Sequence, residues 1–160
     1  MEMNRPSKPV SASRAEQVHI ITPGDTNSGY TLFGGLLMQW IDIVAGVTAR
    51  RHSQSDVRTA AVDHLDFIAP AYINDIVTIA GRVTFVGTTS MEVCVDTFVE
   101  RMGDEKRLHV NRAYLTMVAV DKDGKPTVVP DLICETEAEK ADYEAGMERR
   151  AMRKRTQLYR

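Results

Sequence analysis

The chain has 160 residues and only two cysteines, Cys94 and Cys134. Two thiols in no CxxC or Cys–His spacing exclude a disulfide scaffold and argue against a structural zinc site. His19, His52, His64 and His109 are scattered, with no HxxxH pair, so no metal is expected. Aromatic residues make up 6% of the chain, and no apolar run approaches the ~18 residues of a membrane span. The opening segment MEMNRPSKPVSASR lacks the apolar stretch of a secretory signal. The chain also has no GxGxxG, no P-loop and no GxSxG nucleophile elbow. Its formal net charge is −2, from 20 basic and 22 acidic residues, so the chain as a whole has no electrostatic pull on nucleic acid. These absences predict a cytoplasmic protein with neither a membrane nor a nucleic acid as partner.

The apolar fraction of 43% and the charged fraction of 26% are ordinary for a globular domain, and the length suits one domain with a full core. Residues 1–15, with Pro6, Pro9 and several serines, read as a flexible leader. Residues 17–22 read as a short strand. The next thirteen, PGDTNSGYTLFGG, form a long loop of the kind that usually carries function. Residues 35–51 read as a helix, and 57–68, 76–86, 90–100 and 107–121 as strands. In the third of these strands Met91, Val93, Val95, Thr97 and Val99 alternate with a more polar set that includes Cys94, which is read as packing. Turns at 87–89 and 102–105 make the last three strands an antiparallel meander. A second, highly charged helix covers 136–155. Consecutive strands with the helices set apart give the α+β class. A sheet of about five strands covers the first helix, and its other face needs the terminal helix or a partner subunit. The chain thus divides into a leader over 1–15, a domain over 16–135 and a helix with a basic tail over 136–160.

Asp42 is the one acid in the first helix. At 100° per residue, Gly35, Met38, Gln39, Ala45, Gly46 and Ala49 lie within about 60° of it, and every bulky aliphatic lies about 100° or more away. An acid on a stripe of mostly small residues is a candidate general base or nucleophile, with a solvent-facing side as the plainer reading. Gly34 and Gly35 open the same helix, where free N–H groups can meet a carbonyl oxygen, although a tight turn explains them equally well. Asn27 can donate an amide N–H to that pocket or can serve as an Asx-turn residue. Near the end of the chain, residues 131–148 hold seven acids and one base, and residues 149–160 hold six bases and no acid. This tail is either a solvated helix end favoured by the helix dipole or a phosphate site built on Arg149, Arg150 and Arg153.

The segment Asn27…Gly34-Gly35…Asp42 resembles the active-site segment of hotdog-fold acyl-CoA thioesterases, in the branch of bacterial short acyl-CoA hydrolases and their cytosolic relatives. The likeness continues through Ala61-Val62-Asp63, Phe67, Pro70, Gly87-Thr88-Thr89-Ser90, Val118-Ala119-Val120-Asp121, Gly124-Lys125-Pro126 and Pro130. Where the family has Gly-Asp this chain has Asn74-Asp75, and Asn tolerates the left-handed turn. The resemblance implies a long central helix wrapped by an antiparallel sheet, and a homodimer assembled further as a trimer of dimers. By carry-over Asp42 activates water or attacks directly, and Asn27 of the facing protomer assists. The backbone at Gly34 and Gly35 polarises the thioester carbonyl, and Gly87, Thr88, Thr89 and Ser90 lie along the pantetheine or nucleotide arm. Coenzyme A is then part of the substrate, and no cofactor is needed. The alternative from another class is a non-catalytic acyl-CoA-binding hotdog module that acts as a sensor or subunit.

Overall fold

Residues 5–157 are described by a computed structural model. Strands β1 (Ser7–Pro9) and β2 (Ala15–Ile20) precede helix α1 (Gly34–Ser53). The long strands β3 (Asp56–Phe67), β4 (Ile76–Val86), β5 (Ser90–Glu100) and β6 (Leu108–Val120) follow, then β7 (Asp131–Ile133) and helix α2 (Glu137–Gln157). The main sheet is five-stranded, in the order β2-β4-β5-β6-β3, and every pairing is antiparallel. The meander read from the sequence is β4-β5-β6, and β2 and β3 flank it. No helix among the described residues is long and apolar enough to cross a membrane.

Period-two alternation assigns the two faces of this sheet. Met91, Val93, Val95 and Val99 of β5 join Ala113, Leu115 and Met117 of β6 and Ile79 of β4 in one buried cluster with Leu37, Ile41, Val44 and Ala45 of α1. The helix is therefore wrapped on its apolar side, which is the hotdog arrangement. It ends where Gln54 takes a left-handed conformation at φ 55°. Arg50, Arg51 and His52 sit in its last turn, where the dipole favours cations.

The opposite face of the sheet is covered by α2, where Tyr143 and the buried Gly146 pack on Phe85 of β4 and charged pairs surround that contact. Arg82 on β4 donates to Asp142 at 2.9 Å, and Arg149 grips the buried Glu92 of β5 through two hydrogen bonds. Arg153 donates to Asp63 of β3 at 2.7 Å. Thr136 and Glu139 exchange hydrogen bonds with each other's backbone N–H groups, the capping box that fixes where α2 begins.

One sequence expectation needs correction. Residues 7–13, read above as part of a flexible leader, belong to the fold. Ser7–Pro9 pairs in parallel with Asp131–Ile133, and Val10 and Ser13 are buried. Arg5 donates to the carbonyls of Val129 and Gly87 and forms an ion pair with Asp131 at 2.9 Å. Two three-residue strands far apart in sequence have no periodicity to read.

Candidate active site

Helix α1 carries polar function at two separate places. The first is its N-terminal end, where the loop folds back on itself. Asn27 Oδ1 accepts from the N–H groups of Gly29 and Thr31, and Asn27 Nδ2 donates to Thr31 Oγ1 at 3.0 Å. The Asx-turn reading is thus correct, yet Asn27 also lines a cavity of about 380 Å³ together with Gly34. Among the described residues no side chain caps this end of α1, so the first-turn N–H groups of Gly34 and Gly35 keep their donors. Gly35 is not part of the cavity wall. A Cβ there would lie 2.7 Å from the ring tip of the exposed Phe33, so that ring lies directly on Gly35.

The second place is Asp42, eight residues beyond Gly34 and so about 12 Å further along the helix axis. The hydroxyl of Thr59 on β3 donates to Asp42 Oδ1 at 2.6 Å. Thr59 pairs in register with Met117, a core residue, so its side chain faces α1. The stripe around Asp42 is less uniform than the helical wheel implies. Ala45 and Ala49 are fully buried against the sheet, whereas Asp42 is exposed beside Met38, Gln39, Ile43 and Val47. Within one chain the carboxylate is not recessed. It is held from one side and open on the other.

The turn from Gly87 to Ser90 is fastened from several sides. The N–H of Gly87 donates to Ser90, that of Val129 to Thr88, and that of Ala119 to Thr89. A Cβ at Gly87 would come within 2.9 Å of the Arg150 guanidinium, so Arg150 packs directly on this turn. Arg149 and Arg153 do not reach it. The sheet buries Glu92 to 2% exposure and half-buries Asp63, and carboxylates placed there need cations, which these two arginines supply. Arg149 also stacks over Tyr114 at 3.9 Å. Of the three arginines expected to build a phosphate site, Arg149 and Arg153 thus have carboxylate partners within the chain, and Arg150 lies at the turn. Cys94 is buried beneath α2, and burial pushes its thiol up to about 11, which leaves it inert at neutral pH.

Thr59 was missed by the sequence reading. It sits in an alternating strand and becomes informative only when the sheet brings it to Asp42.

Comparisons with known proteins place the chain in a family. A family model described as the thioesterase superfamily matches residues 29–105. The uncharacterized acyl-CoA thioester hydrolase YkhA of Bacillus subtilis is 40% identical over 92% of this chain and 83% of its own. The chain therefore belongs to the thioesterase superfamily, among its acyl-CoA thioester hydrolases. A solved apo-hexameric acyl-CoA thioesterase superposes with a TM-score of 0.93 at 40% identity, covering 97% of this chain and 99% of that one. An acyl-CoA hydrolase from Staphylococcus aureus, solved with butyryl coenzyme A, coenzyme A and coenzyme A disulfide, gives 0.90 at 36% identity, covering 96% and 94%. That enzyme has also been solved as alanine variants of an asparagine, an aspartate and a threonine. The three follow one another at the spacing of Asn27, Asp42 and Thr59 here.

Proposed function

We propose that the protein hydrolyses acyl-CoA to the free carboxylic acid and coenzyme A. The observation that carries this reading is the Asp42 carboxylate, oriented by the Thr59 hydroxyl on one oxygen and open on its other side. Asp42 acts as general base. It draws a proton from water, the water oxygen bonds to the thioester carbonyl carbon, and the carbon–sulfur bond breaks to release the thiolate, which takes up a proton. The developing oxyanion lies against the N–H groups at Gly34 and Gly35, donors already aimed outward at the start of a helix.

The separation along α1 argues that Asn27 and Asp42 of one chain serve different sites. In the proposed homodimer, itself part of a trimer of dimers, Asn27 and the Gly34 end of one protomer face Asp42 of the other. The hexameric relative supports this reading. Gly87, Thr88, Thr89 and Ser90 guide the pantetheine arm, with Arg150 beside them for a phosphate. Coenzyme A is part of the substrate, and no further cofactor enters.

The test is turnover of a panel of acyl-CoA esters by the wild type and by Asp42→Asn. The substitution keeps the shape and removes the base, so kcat falls by about 10²–10⁴. Wild-type turnover in a folded variant would reject the assignment. An equimolar mixture of Asn27→Ala and Asp42→Asn chains regains activity through heterodimers if the site is shared.

A further inference from the structure

Resting on the thioesterase reading above, we propose that Arg5 is a positioning residue for the coenzyme A arm: it holds the Gly87–Thr88 peptide so that the turn offers N–H groups, not carbonyls, to the ligand. The flanking strands do not close this turn by themselves. The N–H of Gly87 donates to the Ser90 carbonyl at 2.8 Å, and among the described residues no N–H of Ser90 returns to the Gly87 carbonyl. Gly87 is buried, so its carbonyl needs a donor from elsewhere. Arg5 supplies it. The guanidinium engages through all three nitrogens: Nη2 donates to the Gly87 carbonyl, Nε to the Val129 carbonyl, and Nη1 pairs with the Asp131 carboxylate at 2.9 Å. A planar fork reaches three partners at once, which a lysine ammonium does not reproduce. Arg5 is itself fixed from behind, because the N–H of Asp131 donates to the carbonyl of the adjoining Pro6 at 2.8 Å.

In a trans peptide the C=O and the N–H point in opposite directions. With the Gly87 carbonyl turned in to Arg5, the N–H of Thr88 faces out. With the Thr88 carbonyl turned in to the N–H of Val129 at 3.0 Å, the N–H of Thr89 faces out as well. Arg5 Nη2 also lies 3.5 Å from the Thr88 carbonyl, so it borders both peptides. Thr88 is exposed, and two successive outward N–H groups make a concavity that suits phosphate oxygens. A flipped Gly87–Thr88 peptide would put a carbonyl there and repel them. Arg150 sits where a Cβ on Gly87 would be, so a cation already flanks the turn. The Arg5 guanidinium is only a quarter exposed and is paired with Asp131, so it acts through the turn and not as a free charge.

The test compares the wild type with Arg5→Met, Arg5→Lys and Val10→Ala, each checked by thermal melting. The substrates are the best acyl-CoA ester of the panel above and the N-acetylcysteamine ester of the same acid, which keeps the thioester and lacks every phosphate. Arg5→Met raises KM for the CoA ester by about 10-fold or more, the equivalent of one hydrogen bond to a charged group, with kcat within about twofold. Its kcat/KM for the N-acetylcysteamine ester stays that of the wild type. Arg5→Lys keeps the charge beside Asp131, so it folds even where Arg5→Met does not, yet it raises KM nearly as far because it lacks the fork. Val10→Ala loosens the same segment at a buried residue that makes none of the hydrogen bonds to the turn; it lowers the melting temperature and leaves KM unmoved. An unmoved KM in the folded Arg5 variants overturns the proposal. So does an equal loss on both esters, or a rise in KM for Val10→Ala as large as that for Arg5→Lys. If the wild type hydrolyses no ester of the panel, the thioesterase reading fails as well. If it hydrolyses them and KM does not respond to Arg5, only the role of Arg5 fails.

Discussion

On one face of the sheet α1 lies in a dry apolar core, with Ile41, Val44 and Ala45 at 1% exposure or less. On the other face α2 is clasped by charge, through Arg82 to Asp142, Arg149 to Glu92 and Arg153 to Asp63. Asp96 sits beneath α2 between Arg82 and Arg112, and its carboxyl stays below the usual range because those guanidinium groups outweigh its burial. The two attachments answer to different physics. Apolar burial is tolerant of partner and angle, whereas a buried carboxylate needs donors, and above all a cation, held at hydrogen-bond distance. The first is suited to holding a core together, the second to fixing where a helix lies.

The comparison can be broken in four ways. Leu115→Ala, on the α1 face at 1% exposure, should cost about 2–5 kcal/mol of unfolding free energy in urea, towards the upper end because the site is closed on all sides. Arg149→Met should cost about 2–3 kcal/mol, less than the ~3–5 for a fully buried pair because the arginine is a quarter exposed. Adding Glu92→Leu to that variant should restore most of the loss, since an apolar pair replaces the ions. If the double variant stays as unstable as the single one, α2 is held by something other than these charges.

Acid should loosen the two faces in different pH windows. His52 on α1 is fully buried, its Nε2 meets the Pro130 carbonyl at 3.0 Å, and burial foremost, with Lys8 and Arg5 nearby, lowers its pKa. The unfolded chain therefore binds the imidazole proton more readily, and stability falls as pH drops below about 6.5. Asp96 is also depressed, so its contribution is complete above about 3.9 and is lost as pH falls through its folded value. Thermal melts from pH 8 to 3 should show a first decline that His52→Phe removes and a second that it does not. The smallest effect is expected at Lys140, whose pair with Glu137 is solvent-exposed; Lys140→Ala should change stability by at most about 0.5 kcal/mol.

The long elements were legible in the sequence because period signals their type. The alternation in 90–100 identified the inward face of β5, and the TxxE pattern of the α2 capping box is visible at Thr136 and Glu139. Asn27, Gly34 and Asp42 could be singled out as candidates because each departs from its surroundings. What could not be read depends on pairings distant in sequence. β1 and β7 are too short to show a period, and Thr59 looks like any strand threonine until it meets Asp42. Arg149 and Arg153 looked like free cations because their partners, Glu92 and Asp63, lie on other strands.

The pairing of β1 with β7 also bears on the order in which the chain can assemble. Ser7 waits for Asp131, and Arg5 for the Val129 carbonyl, across nearly the whole length of the protein. Synthesis runs from the N-terminus, so all five strands of the main sheet have been made before β7 exists. The contacts of longest sequence separation carry the largest loop-closure cost and form late. A nascent chain can therefore hold its core sheet while Thr88 still lacks the N–H of Val129. The turn beside Arg150 becomes complete only when the two ends of the chain have met.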